Sequence, residues 1–303
     1  MRKKVLITGA GGYIGSELIS QLSNSVSWDV VAMTSNPDAL KHKFRDADNL
    51  KVIPNDALAN GNLPWDKISH VIHLAFARRF RPNQEIAESM VFSKEIFSQA
   101  NRANVEGFVN LSSQSVYGNA ECLRDEATPI SPEMIYSMAK YASEIILESI
   151  FEKNSLSKTT NIRMDPVAGN QNLLPSLVKQ AYTQGAIKLT GGGQIFSLLD
   201  ISDAAAALIC LINTPTRKWK KAYNVGWNNT IYTLLELAEM VAKEVEKESS
   251  MPVKITIEEA NIRTYAGLNS TIFMEDTSWK PQKNMNKIIE NIIREYRDKA
   301  CNV

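Results

Sequence analysis

The chain has 303 residues, 44% of them hydrophobic and 22% charged, enough to bury a sizeable core and unlike a disordered or collagen-like polymer. Its 34 Lys and Arg stand against 33 Asp and Glu, so no net field draws it to nucleic acid or to an anionic membrane, and neither is expected as a partner. The three cysteines, Cys122, Cys210 and Cys301, lie far apart and leave one unpaired in any disulfide scheme, which suits a reducing cytosol and a cytoplasmic location.

The basic opening gives way to glycine after Thr8, too soon for a signal peptide, and no run approaches the ~20 apolar residues of a membrane span. The stretch "VLITGAGGYIGSEL", Val5 to Leu18, reads as a strand, a tight turn and the start of a helix. Further strands are expected at Asp29–Thr34, Leu50–Pro54, His70–Ala75 and Gly107–Ser112. Helix-like segments separate them, clearest at Gln84–Ala103 with an apolar face of Ile86, Met90, Ile96, Phe97 and Ala100. His73 reads as a core or strand-end histidine, and it shares no metal-ligand spacing with His42, His70 or the cysteines. Strands alternating with helices predict an α/β fold with a doubly wound parallel sheet of the Rossmann type. Past residue 165 the alternation loosens into a loop and helix, a turn at "LTGGGQ", a helix in "DISDAAAALICLIN", a short strand in "AYNVG" and two long amphipathic helices. This predicts a dinucleotide-binding domain over 1–165 and a smaller mixed substrate domain over 166–303, with segments around 196–235 returning to the first.

Three constellations bear on chemistry. Gly9, Gly12 and Gly15 follow a strand and precede a helix. The first allows a tight turn, the second brings backbone close to a pyrophosphate, and the third lets helix and strand pack; an ordinary glycine-rich loop is the alternative. Tyr136 and Lys140 are spaced i, i+4, on one face of a helix, where a neighbouring ammonium is expected to lower the phenol pKa toward working pH. A solvated helix face would look the same. Ser112, Ser113 and Ser115 end an apolar strand, where doubly wound sheets bind ligands, or they satisfy loop backbone.

In this order and spacing the three resemble the extended short-chain dehydrogenase/reductase family of sugar-nucleotide epimerases, dehydratases and reductases. "VIHLAF", "VIPNDAL", "SSQSVYG", "IRMDPVAG", "SLLDISDAAAAL" and "YNVGWNNTIYTLLELAEMVA" are similar to its later segments. The resemblance implies Tyr136 as acid/base, Lys140 holding the nicotinamide ribose and tuning Tyr136, and Ser113 hydrogen-bonding the reacting oxygen. It also implies cofactor contacts from Gly9, Gly12, Tyr13, Ile14, Gly15, Asp56 (at the adenine), Ala57, Leu74, Ala75 and Ala77, and a homodimer through the helices around Gln84–Ala103 and Ser137–Phe151.

The departures speak to substrate. Where dehydratases of the family carry an Asp–Glu pair stand Gln114 and Ser115, so 4,6-dehydration is not expected. In the R-x-x-N-x-x-G strand Pro166 replaces the Asn between Arg163 and Gly169, Phe196 stands where an arginine grips the diphosphate, and Ser89 replaces a structural Asn. Arg78 and Arg79, in "FARRFRP" with Arg81, are candidate phosphate ligands, or a solvated basic loop; Ser113 and Gln114 complete the candidate substrate set. At the end of the second strand Thr34, Ser35 and Asn36 replace the carboxylate of NAD-specific members, which favours NADP, with NAD possible. The reading is an NAD(P)-dependent oxidoreductase acting on a nucleotide-activated sugar, favoured as a 4-ketosugar reductase. An NAD-dependent epimerase is the first alternative and a non-catalytic NAD(P)-sensing regulator the second.

Overall fold

Strand β1 (Lys3–Thr8) carries Val5, Leu6 and Ile7 without exposed surface, as a strand covered on both faces requires. The computed structural model to which it belongs describes residues 2–23, 25–119, 122–169, 173–227, 231–262 and 264–301. Residues 170–172, in the expected loop, and 228–230, in the segment after the short strand, lie outside them. The elements continue as α1 (Tyr13–Leu22), β2 (Trp28–Thr34), α2 (Pro37–Lys43), β3 (Leu50–Pro54), β4 (His70–His73), α3 (Asn83–Arg102), β5 (Gly107–Leu111), α4 (Ile135–Phe151) and β6 (Lys158–Met164). Then come α5 (Leu173–Gln184), β7 (Ala186–Thr190), β8 (Ile195–Phe196), α6 (Ile201–Asn213), β9 (Ala222–Val225), β10 (Tyr232–Thr233), α7 (Leu234–Ser249), β11 (Lys254–Glu258), α8 (Thr271–Thr277) and α9 (Met285–Cys301).

Seven strands form one parallel sheet in the order β3-β2-β1-β4-β5-β6-β9. Its two faces follow from the period-2 alternation of side chains. Val5 and Ile7 face a cluster with Leu18, Ile19 and Leu22 of α1 and Leu208, Leu211 and Ile212 of α6. Leu6 faces the other way, into Ile96, Phe97 and Ala100 of α3 and Leu147 of α4. The winding reverses between β1 and β4, where Thr8 pairs with Met33 on one side and His73 on the other. Doubly wound sheets bind ligands in the crevice that such a reversal opens at the strands' carboxyl ends.

A separate cluster joins α5, α7 and α9 to β7, through Leu177, Val178, Ile187, Leu237, Val241, Ile289 and Ile293. Helix α7 begins with a capping box, in which Thr233 Oγ1 accepts from the Glu236 N–H and the Glu236 carboxylate accepts from the Thr233 N–H. Such caps contribute about 0.5–2 kcal/mol.

Strand β3 has the expected bounds, and the other expected elements of the first half differ by a residue or two. Strand β4 ends at His73 because the Ala75 N–H turns to Thr8 Oγ1, at 3.3 Å. Helix α6 is capped by Asp200, whose Oδ1 accepts from the Ser202 N–H, while Asp203 accepts from the Gln282 and Lys283 N–H groups. The parallel pair β7–β11 went unexpected, since the outward strand β11 exposes Ile257 and shows little burial pattern. Among the described residues no helix is long and apolar enough to cross a membrane.

Candidate active site

The turn after β1 is built from backbone. Gly9 has φ of +66°, and a Cβ there would stand 2.8 Å from the Ala75 nitrogen, so a side chain would meet both strain and collision. A Cβ on Gly15 would lie 2.5 Å from the Gly9 carbonyl, which is why α1 can begin directly beneath the turn. Gly12 is the N-cap, and no side chain caps the helix; its first N–H groups and positive dipole end suit an anionic ligand. Tyr13 donates to the Ala168 carbonyl at 3.2 Å and ties this turn to the exit of β6. The close-packed glycines and the uncapped helix start fit the pyrophosphate of a dinucleotide.

Strand β5 delivers Ser112, Ser113 and Gln114 to the opposite side. Helix α4 brings Tyr136 and Lys140 over them. One cleft of about 310 Å³ is lined by Gly9, Gly12, Tyr13, Ile14, Gly15, Leu74, Ala77, Arg78, Arg79, Ser113, Gln114, Tyr136 and Lys140. Of the other sequence candidates, Ala75 backs Gly9, and Thr34 backs Gly11 with Oγ1 2.7 Å from where a Cβ would be. Ser35, Asn36, Asp56 and Ala57 follow β2 and β3 outside this cleft. Thr34 is 4% exposed, its hydroxyl accepts from the Asn36 N–H, and Asn36 Oδ1 caps α2 by accepting from the Ala39 N–H. Both bonds use acceptor oxygens and leave the Thr34 O–H and the Asn36 amide N–H groups as donors, although Thr34 is buried.

The electrostatics overturn one expectation. Burial pushes the Tyr136 phenol up to about 12, against the lowering effects of the Ser113 hydroxyl and the Arg79 charge. Lys140 does not lower it, because its ammonium donates to the Leu111 carbonyl at 2.7 Å and sits 4.0 Å from the centre of the Phe76 ring. It lies 6.0 Å from the centre of the Tyr136 ring. Burial in turn lowers Lys140 to about 7, with the Glu144 carboxylate opposing. The i, i+4 spacing puts both groups on one face, but the Phe76 ring lies beside them.

The side of the cleft opposite the glycine turn rests on a buried polar chain. Arg163 pairs with Glu144 at 2.7 Å and donates to the Tyr117 hydroxyl at 3.0 Å. Tyr117 donates to Asn224 Oδ1, Asn224 to the Arg124 carbonyl, and Arg124 to Gln114 Oε1 at 2.9 Å. Gln114 is thus held from behind, and Ser115 shares its hydroxyl with Ser113 at 2.9 Å. Ser89 accepts from the Ala77 N–H at 2.9 Å, fixing the start of the loop that carries Arg78 and Arg79. His73 is a core residue between Thr8 Oγ1 and Ser93 Oγ, and burial lowers it to about 3.

Phe76, Met134, Asp165 and Pro166 also line the cleft. The sequence pattern marks Phe76 only as the residue after a strand, and Asp165 only as the carboxylate that follows Met164.

Similarity to known proteins runs along the whole chain. Human (Homo sapiens) dTDP-D-glucose 4,6-dehydratase is 24% identical over 334 residues, 99% of this chain and 91% of that protein. Protein CapI of Staphylococcus aureus is 24% identical over 97% of this chain and 99% of its own length. In fold, the chain superposes on Bacillus cereus UDP-glucuronic acid 4-epimerase, solved with UDP-glucuronic acid and NAD, with a TM-score of 0.80 at 19% identity over 97% and 99% of the two chains. For the Campylobacter jejuni UDP-Glc/GlcNAc 4-epimerase the TM-score is 0.82 at 16% identity, over 98% and 99%. The glycine turn, Ser113, Tyr136 and Lys140 all fall within residues 5–226, the span matched by the model of the NAD dependent epimerase/dehydratase family, and the chain belongs to that family.

Proposed function

We propose that the chain interconverts a hydroxyl and a carbonyl on a nucleotide-activated sugar, with net reduction of a 4-ketosugar as the favoured outcome. The observation that carries this reading is the meeting of Ser113, Tyr136 and Lys140 with the glycine turn in one cleft. A nicotinamide dinucleotide bound there would supply or accept the hydride. Gly9, Gly12, Tyr13, Ile14, Gly15, Leu74, Ala75 and Ala77 would hold it, with Asp56 and Ala57 toward the adenine. A phenol held near pKa 12 keeps its proton at neutral pH, so Tyr136 is set to give a proton to a carbonyl oxygen, as reduction demands. Ser113 would hydrogen-bond that oxygen, and Lys140 would orient the ribose. Arg78 and Arg79 would hold the diphosphate, since Pro166 and Phe196 offer it no charge. Gln114 and Ser115, tied to Arg124 and Ser113, leave no acid–base pair for dehydration.

The epimerase reading keeps one observation in its favour. Thr34 is 4% exposed, which leaves its hydroxyl little access to a 2′-phosphate and favours retained NAD. In both readings the seven-stranded sheet holds the dinucleotide, and the α5–α7–α9 unit completes the sugar-nucleotide side. A homodimer through α3 and α4 fits the exposed Val91, Met138 and Ile145, which are 72%, 50% and 52% accessible.

Analysis of the cofactor in purified protein separates the readings. The reductase predicts little bound NAD, tighter binding of NADPH than NADH, and NADPH consumption only with a ketosugar nucleotide. Stoichiometric bound NAD with equilibration of two sugar epimers, without added cofactor, would replace it by the epimerase.

A further inference from the structure

Asp165 follows β6 directly and borders the same cleft as Ser113, Tyr136 and Lys140. It is 2% exposed. Its Oδ2 accepts from the Ser197 hydroxyl at 2.6 Å, while Oδ1 is buried without a hydrogen-bond partner. Burial raises its carboxyl to about 6, with the Ser197 hydroxyl, the Trp227 N–H and the Arg124 charge pulling it down. The group is therefore largely ionised at neutral pH. A buried carboxylate oxygen left unmatched is destabilising, and an apolar residue would fill that wall without the penalty. Asp165 lines the cleft in which Ser113, Tyr136 and Lys140 meet, and a ligand bound in that cleft is the group that could match the oxygen.

We propose that Asp165 Oδ1 accepts a hydrogen bond from a hydroxyl of the bound hexose and so selects neutral sugars over uronic acids. This rests on the nucleotide-sugar reading above. A hydroxyl completes the empty acceptor site, whereas a sugar carboxylate in so small a cleft meets a like charge, a repulsive element of the kind that specificity uses. It would set this chain apart from the neighbour solved with UDP-glucuronic acid. Arg78 and Arg79 attract either sugar nucleotide, but their pull is common to the wild type and to Asp165 variants. A change in preference on altering Asp165 alone therefore reports Asp165.

The test is calorimetric binding of UDP, UDP-glucose and UDP-glucuronic acid, and of dTDP and dTDP-glucose, to wild type and Asp165→Asn. Wild type is expected to bind the neutral hexose at least about tenfold more tightly than the uronate. In Asp165→Asn that ratio should fall by about tenfold while UDP affinity stays the same. Equal wild-type affinity for hexose and uronate overturns the proposal without any variant. So does an unchanged ratio in an Asp165→Asn protein that melts cooperatively. Wild type that binds neither nucleoside diphosphate nor nucleotide sugar removes the nucleotide-sugar reading itself, and this proposal with it.

Discussion

The two walls of the cleft are specified by different means. On the glycine wall the determinants are backbone: Gly9 in a left-handed conformation, Gly15 against the Gly9 carbonyl, and an uncapped helix start. On the wall made by β5, β6 and α4 they are side chains, held through the buried chain from Glu144 and Arg163 through Tyr117, Asn224 and Arg124 to Gln114. Backbone geometry tolerates few substitutes, so the first wall keeps a recurrent pattern. Side chains can be exchanged while the frame stands, so the second wall is where Gln114, Ser115 and Pro166 replace what the family resemblance leads one to expect.

The sharpest way to break this contrast is Tyr136→Phe. The phenol hydroxyl belongs to the second wall and is assigned only to the reacting oxygen. Turnover should fall by about 10²–10⁴, the usual range for general acid–base groups, while dinucleotide affinity stays within twofold of wild type, roughly the noise of such comparisons. Stopped-flow rates with fluorescence titration check both, and near-normal turnover would remove Tyr136 from its role.

Glu144→Ala tests whether the second wall depends on buried charge. Glu144 and Arg163 expose 3% and 9% of their side chains, and Ser112 donates to Glu144 as well. Breaking such a pair from one side typically costs ~3–5 kcal/mol because the other charge is stranded. Urea unfolding should show a loss of that size, and Glu144→Leu with Arg163→Met should recover much of it. A loss under 1 kcal/mol, about the worth of an exposed pair, would mean that water reaches Arg163. The family-like Arg163 would then not anchor this wall.

Arg78→Ala and Arg79→Ala probe the loop between the walls. Both residues are exposed, yet both line the cleft, and Ser89 pins the loop through Ala77. Loss of a charge-assisted phosphate contact should raise the dissociation constant for a nucleotide sugar roughly tenfold to a hundredfold. Calorimetry with each variant checks it. Unchanged binding of both cofactor and sugar nucleotide would leave the loop as solvated surface, with Arg79 simply stacked on Phe80 at 4.4 Å.

How much was legible follows the same division. Five strands and the glycine turn could be read because apolar runs and glycines report directly on strand burial and backbone conformation. The convergence of Ser113, Tyr136 and Lys140 was legible through spacing and resemblance. What spacing could not give was the environment: that Phe76 would stand beside Lys140, or that burial would raise Tyr136 rather than Lys140 lowering it. Nor could it give Asp165, since a single carboxylate after a strand carries no pattern. The pair β7–β11 was hidden because β11 buries little.

The smallest expected effect is at the seam where β2 meets the glycine turn. Thr34 lies behind Gly11, so a side chain at 34 looks onto the turn from β2. A carboxylate there accepts from a ribose 2′-hydroxyl and repels a 2′-phosphate. In the present chain the threonine is 4% exposed and carries no charge, so it contributes little selection of its own. Thr34→Asp should therefore add discrimination rather than reverse a strong one, moving the ratio of NADH to NADPH affinity about tenfold toward NADH, near 1.4 kcal/mol. The Asp side chain can still accept from the Asn36 N–H, so the α2 cap should survive, and the melting temperature serves as the control. Fluorescence titration of both cofactors against wild type and variant measures the shift. An unchanged ratio in a variant with normal melting would mean that the ribose lies away from β2. The dinucleotide would then follow only the glycine wall, and cofactor choice would have to be sought among Ser35 and the basic residues of α2.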